Sequence, residues 1–168
     1  LAPGHGQVRF DSSAFVGYLR KMMEDGTADG KVIILDTLKK FMDLMDKQAG
    51  TSFLKVVREF ASHNGTVIML AHTNKHRDGD GKLVFAGTSD VVDDIDCAYM
   101  IDALEGSAQG DSRTIVFENF KSRGDVAAKV TYGYQIVKGQ SYIDLMNSVC
   151  KVSDGDAQEA ARRDAIKR

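Results

Sequence analysis

The chain has no tryptophan, one proline and two cysteines in 168 residues. Cysteines as far apart as Cys97 and Cys150, in apolar or mixed surroundings, make no disulfide framework. They suit a reducing compartment, so the expected location is cytoplasmic. No apolar run approaches the roughly 20 residues that span a bilayer, and no charged start leads into an apolar signal segment. No membrane is therefore expected among its partners. Neither sign of charge prevails, with 22 basic and 24 acidic residues and a net charge of -2. Any attraction to nucleic acid must then come from a local patch. The sequence also lacks a G-x-x-x-x-G-K-[ST] loop to cradle phosphates; the nearest glycine cluster, Pro3-Gly4-His5-Gly6, has neither the spacing nor the lysine.

What is present, 43% hydrophobic and 27% charged residues, fits one compact domain with a core. Asp11 or Ser12 can cap a helix carrying Phe15, Leu19, Met22 and Met23 on one face, closed by Gly26 and Gly30. Val32 to Leu35 reads as a strand covered on both faces, as in a parallel sheet, and it ends on Asp36-Thr37. Thr51 or Ser52 then caps a helix with the stripe Phe53, Val56, Val57 and Phe60, stopped by Asn64-Gly65. A second buried strand spans Thr66 to Ala71. This strand, helix, strand order brings Asp36 and His72 to the carboxyl edge of a sheet, where open α/β folds bind ligands.

Beyond His72 the polar stretch from Asn74 to Lys82 reads as a mobile surface loop. A helix is expected over Ser89 to Asp96 and strands near Tyr99 to Ile101 and Thr114 to Phe117. Residues Val126 to Val137 and Tyr142 to Leu145, about a turn at Lys138-Gly139, read as an antiparallel hairpin. With no repeat or linker, one domain is expected over 1–150, then a basic, helical tail over 151–168 carrying Arg162, Arg163, Lys167 and Arg168.

Three groups can carry chemistry. Asp36, on the tip of a strand, can hold magnesium in a phosphate site, or Asp36-Thr37 can simply cap the next helix. Ala71-His72-Thr73-Asn74-Lys75 sets an imidazole, a hydroxyl, an amide and a cation directly after a strand. His72 there can hydrogen-bond a γ-phosphate, or the segment is an ordinary polar loop start. His72 and His76 are four apart, a metal-ligand spacing only on a helix, and no zinc site is expected. In Phe117-Glu118-Asn119-Phe120-Lys121-Ser122-Arg123-Gly124-Asp125, a strand end presents Lys121 and Arg123 on one side, as a phosphate clamp or as a solvated hairpin end.

Four segments, VIILDT at Val32 to Thr37, VIMLAHTNK at Val67 to Lys75, AGTSDVVDDIDCAYMID at Ala86 to Asp102 and FENFKSRGD at Phe117 to Asp125, resemble the second half of a RecA-like P-loop ATPase core. That group contains RecA, KaiC, the DnaB-type ring helicases and the plasmid RepA-type helicases, and the likeness is greatest to the RepA type. It covers about two-thirds of the chain. The resemblance implies a partial three-layer α/β sandwich, with a mostly parallel sheet flanked by helices and a carboxyl-terminal antiparallel hairpin.

The resemblance further implies ATP and Mg2+ as ligands, with Asp36 as the Walker B aspartate, Thr37 beside it and His72 coupling the γ-phosphate to the following loop. Lys75, His76, Arg77 and Lys82 of that loop would touch the backbone of single-stranded or duplex DNA. Lys121 and Arg123 would act on the nucleotide of the next subunit in a ring or filament. Gly87, Thr88 and Ser89 match a turn that either caps a helix or shapes the loop.

Two parts of the family pattern are missing: the phosphate loop and the strand with the water-activating glutamate. Glu24 and Glu59 fall inside predicted helices and do not replace that glutamate. As the chain opens on Leu1, the missing amino-terminal half of the core is expected upstream, and the chain by itself is expected to be inactive. About 60 to 100 preceding residues would then contain a Gly-rich loop ending in Lys-Ser or Lys-Thr. Two other readings remain open: a non-catalytic RecA-like oligomerisation or DNA-binding module, and a metal-dependent hydrolase using Asp36, His72 and Asp93 or Asp94.

Overall fold

The computed structural model of the chain describes residues 12–43, 45–74, 76–80, 83–87, 89–104, 111–153 and Gly155. The chain is mixed α/β and groups into two compact units, residues 1–95 and 96–168, a finer division than one domain over 1–150. The basic part of the expected tail lies outside the described residues.

The first unit runs α1 (Ser12–Glu24), β1 (Val32–Asp36), a 3-10 turn (Leu38–Lys40), α2 (Lys47–Ser62), β2 (Thr66–Leu70) and α3 (Ser89–Asp93). In α1 the predicted stripe faces inward: Leu19 is fully buried, and Phe15, Met22 and Met23 pack against the core. The helix stops as expected at Gly26, whose φ of +66° favours a residue without Cβ.

α2 begins a turn earlier than Thr51 or Ser52. Its cap is Asp46, whose carboxylate accepts hydrogen bonds from the backbone N–H of Gln48 at 2.9 Å and of Ala49 at 3.0 Å. One side chain thus satisfies two of the orphan donors at the helix start, and Thr51 and Ser52 lie within the helix with exposed side chains. The stripe Phe53, Val56, Val57 and Phe60 is buried, with Phe60 at 0% exposure. Burying one such side chain contributes about 2–3 kcal/mol. Asn64 ends the helix at φ +60°. At Gly65 an added Cβ would come within 2.2 Å of the Phe60 ring, so the turn must pass close over that ring.

β1 and β2 are parallel, in register from Val32 opposite Thr66 to Asp36 opposite Leu70. The expected coverage on both faces is corrected. Ile33, Leu35, Val67 and Met69 face the helical core, whereas Val32 and Ile34 are 61% and 64% exposed and Ile68 and Leu70 are 46% and 41% exposed. Side chains alternate between the faces of a strand, and the described helices of this unit pack on only one of them. α3 ends at Asp93 rather than Asp96, and the next residue, Asp94, meets Arg58 of α2 at 3.1 Å. An exposed pair of this kind adds about 0–1 kcal/mol.

The second unit is a four-stranded sheet in the order β3 (Cys97–Ala103), β4 (Ser112–Ser122), β5 (Lys129–Gln135) and β6 (Cys150–Val152), antiparallel throughout. Parallel pairing among the described residues is therefore confined to β1 and β2, and the mostly parallel sheet of the sequence reading is corrected.

The expected second hairpin arm is also corrected, because Tyr142–Asn147 forms a helix, α4. Ser141 caps it: its hydroxyl donates to the Asp144 carboxylate at 2.6 Å and accepts from the Asp144 N–H at 3.1 Å. Such a reciprocal cap stabilises the first turn of a helix. The strand that pairs with β5 follows α4 as β6. Across β4 and β5, Phe117 and Tyr132 meet edge to face at 5.7 Å.

Candidate functional site

The parallel register sets the carboxyl ends of β1 and β2 side by side. Asp36 closes β1 opposite Leu70, and His72 lies two residues beyond Leu70, so the two predicted residues share the carboxyl edge of the sheet. Asp36 is exposed, and its backbone carbonyl accepts a hydrogen bond from Lys40 Nζ at 3.0 Å. The 3-10 turn that starts at Leu38 makes this reach possible. The Thr37 side chain does not cap that turn; its hydroxyl is buried and has no hydrogen-bond partner among the described residues.

A single strand-tip carboxylate fits the donor set of magnesium, which takes one or two protein carboxylates and completes its shell with water and phosphate oxygens. The orphaned Thr37 hydroxyl is a polar atom that a hydrated ion or a phosphate would satisfy. The donors needed by the metal-dependent hydrolase do not converge: among the described residues no three His, Cys, Asp or Glu form a metal-holding group, and Asp94 is paired with Arg58.

His72 is exposed and opens a loop closed at its base. The Ala86 N–H donates to the His72 carbonyl at 3.2 Å, and the Asn74 N–H donates to the Val84 carbonyl at 2.7 Å. Thr73 and Phe85 form an antiparallel bridge, and the Asn74 side-chain amide donates to the Phe85 carbonyl at 3.4 Å. The described part of the tip, His76 to Asp80, is exposed, with the Asp80 N–H turned onto the Asp78 carboxylate at 3.0 Å. Lys75 and Lys82 lie outside the described residues, as does Thr88. Gly87 has a clear structural role: a Cβ there would come within 2.5 Å of the Phe85 ring, which packs against the core. The loop is thus a strap pinned at both ends, where its polarity alone pointed only to a loose connection.

Lys121 and Arg123 belong to the second unit. Lys121 is in β4, and Arg123 is the first residue past its end. The Arg123 N–H donates to the Asp96 carbonyl at 2.9 Å, and its guanidinium donates to the Asp96 carboxylate at 3.3 Å. The β3–β4 register shifts here, from Tyr99 opposite Asn119 to Ala98 opposite Lys121, leaving Phe120 as an extra residue in a β-bulge. Partners in register share a face of the sheet, and Ala98 and Tyr99 face opposite ways. Lys121 therefore faces away from Phe117 and Asn119, the reverse of what even spacing along an unbroken strand dictates.

Nearby, the Tyr99 hydroxyl donates to the Ala127 carbonyl at 2.8 Å; desolvation first, and then the Cys97 thiol, hold its phenol above the ordinary value. Sequence reasoning missed the roles of Asp46, Asp96 and Asn119. An amide within the otherwise aromatic and charged FENFK was the available signal for the last of these.

No described helix is long and apolar enough to cross a membrane. Neither a protein-family model nor a curated protein matches the chain.

Proposed function

We propose that this chain is the carboxyl-terminal part of a RecA-like ATPase core, from a helicase or related DNA-processing motor that works as an oligomer. The observation that carries the reading is the shared carboxyl edge, where Asp36, the orphaned Thr37 hydroxyl and His72 lead into a pinned, polar loop. The resemblance of four segments in order adds to it. Because no phosphate loop occurs in the 168 residues, the complete site in this reading takes that loop from other polypeptide.

The reaction is in-line attack of water on the γ-phosphorus of ATP: the bond to the β-phosphate oxygen breaks, ADP leaves, and the water gives up a proton to solvent. When bound, magnesium neutralises charge on the β- and γ-phosphate oxygens. Asp36 would hold it through one carboxylate, with Thr37 hydrogen-bonded to its water or to phosphate. His72 hydrogen-bonds the γ-phosphate, and its backbone, tied to Ala86, passes any shift to the strap. Lys121 and Arg123 act on the nucleotide of the adjoining subunit, where the planar guanidinium fork matches phosphate oxygens.

The strap is the nucleic-acid contact, through Lys75, His76, Arg77 and Lys82. Changing both Lys75→Ala and Arg77→Ala in the assembled protein should weaken single-strand binding and reduce the slope of log affinity against log salt by about one or more. Titration of a labelled oligonucleotide at several salt concentrations checks this. An unchanged slope removes the strap from the DNA interface and favours the non-catalytic assembly module.

A further inference from the structure

We infer that Asn119 is a positioning residue that aims Lys121 and Arg123, by bracing the β-bulge through which β4 turns them to the opposite face of the sheet. The inference rests on the proposed role of Arg123 for its catalytic consequence, but not for its geometry. The Asn119 side-chain nitrogen donates to the Ala98 carbonyl at 3.1 Å and to the Lys121 carbonyl at 2.9 Å, with Cys97 Sγ at 3.4 Å. Carbonyls only accept, so these neighbours fix which end of the amide points inward. One –NH2 group thus spans the gap that the extra residue Phe120 opens in the ladder, tying the strand on both sides of the bulge.

Bulges re-aim side chains, but an unpaired residue leaves backbone groups without ladder partners, and a ladder that can close without it gains those bonds. The Asn119 amide makes the bulged register the satisfied one. Two positions further on, Asp96 secures the result, because it meets Arg123 at both backbone and guanidinium. That ion pair is exposed, with side chains 41% and 72% accessible, so it orients the guanidinium without sequestering it from a phosphate. Without the brace, a regular ladder running through Phe120 would place Lys121 opposite Cys97, on the face of Tyr99, Phe117 and Asn119, and take Arg123 off Asp96.

Asn119→Ala removes both bonds. Asn119→Asp, nearly the same shape, sets a carboxylate against two carbonyl oxygens and should disturb the register more. Deleting Phe120 in the Asn119→Ala background supplies the decisive control, since Lys121 then returns opposite Ala98 with no bulge to brace.

Cross-strand NMR contacts between Ala98 and Lys121 in the full chain read the register directly. They should be lost in Asn119→Ala and return in the double variant. In the assembled ATPase, Asn119→Ala should lower kcat by about tenfold to a hundredfold with KM for ATP unchanged, a loss typical of a misplaced catalytic group. The Phe120 deletion should recover most of it. Retention of the Ala98–Lys121 contacts in both Asn119 variants overturns the brace whatever the protein does. If the register shifts and Arg123→Ala stops hydrolysis while Asn119→Ala does not slow it, the positioning role falls. If Arg123→Ala itself hydrolyses normally, the ATPase role of Arg123 fails and the register result stands.

Discussion

Replacing Arg123 by alanine in the assembled protein should lower ATP hydrolysis by about three to five powers of ten, the scale of an arginine acting on a transferred phosphoryl group. Negative charge spreads over the γ-phosphoryl oxygens as the bond to the leaving group lengthens, and a fixed guanidinium in a water-poor interface stabilises it more than water does. Arg123 is suited to this by its place at the end of β4, where Asp96 orients it from below while the side chain stays partly exposed. Arg123→Lys should recover little, because a point charge does not reproduce the two parallel bonds of the fork.

If the residue serves the adjoining subunit, as proposed, mixtures of Arg123→Ala subunits with subunits altered in the phosphate loop should regain activity. In some interfaces of a mixed ring an intact nucleotide site meets an intact arginine. Phosphate release measured across mixing ratios checks this, and no recovery at any ratio assigns Arg123 a local role.

Phe60→Ala should destabilise the first unit by about 3–5 kcal/mol, from lost transfer energy and the cavity left behind. Phe60 is fully buried in the core cluster that also contains Leu19, Leu35, Leu54 and Val57, and the turn at Gly65 lies against its ring. Collapse into the space is hindered, because the ring is held from the helix side and from the turn that leads into β2. The loss is a large part of the 5–15 kcal/mol that holds a typical domain together. It should lower the urea midpoint of the first unit with little change in slope. A loss below about 1 kcal/mol, within the range of an ordinary surface substitution, would contradict this packing.

The elements most legible in the sequence are those whose local signals agree. In α2 the stripe from Phe53 to Phe60 has helical spacing and the Asn64-Gly65 stop closes it. Val32 to Leu35 and Val67 to Leu70 are aliphatic runs with β-branched residues, and both form strands. Failures came where one residue could serve two roles. Thr51 and Ser52 are good caps, but Asp46 lies upstream and offers a carboxylate to two N–H groups. Tyr142 to Leu145 has strand-like residues, yet Ser141 and Asp144 cap it as a helix.

Continuous apolar runs also concealed how many faces are covered, because Val32 and Ile34 read the same whether or not anything packs on them. In the candidate site, Asp36 and His72 were legible because parallel strands bring their ends together. The facing of Lys121 was not, since counting along a strand assumes an unbroken ladder and the extra residue reverses the count. Contacts that cross strands, such as Asn119 to Ala98 and Arg123 to Asp96, leave no trace in local spacing.

Release of phosphate from ATP by the full-length gene product, with magnesium and single-stranded DNA, tests the account most directly when set beside Asp36→Asn. The substitution keeps the shape of the strand tip and removes the charge that would hold the metal. The account predicts DNA-stimulated turnover in the unaltered protein and its near-complete loss in Asp36→Asn, with an unchanged thermal midpoint. Equal turnover in both proteins, or none in either with nucleotide and DNA present, would contradict it.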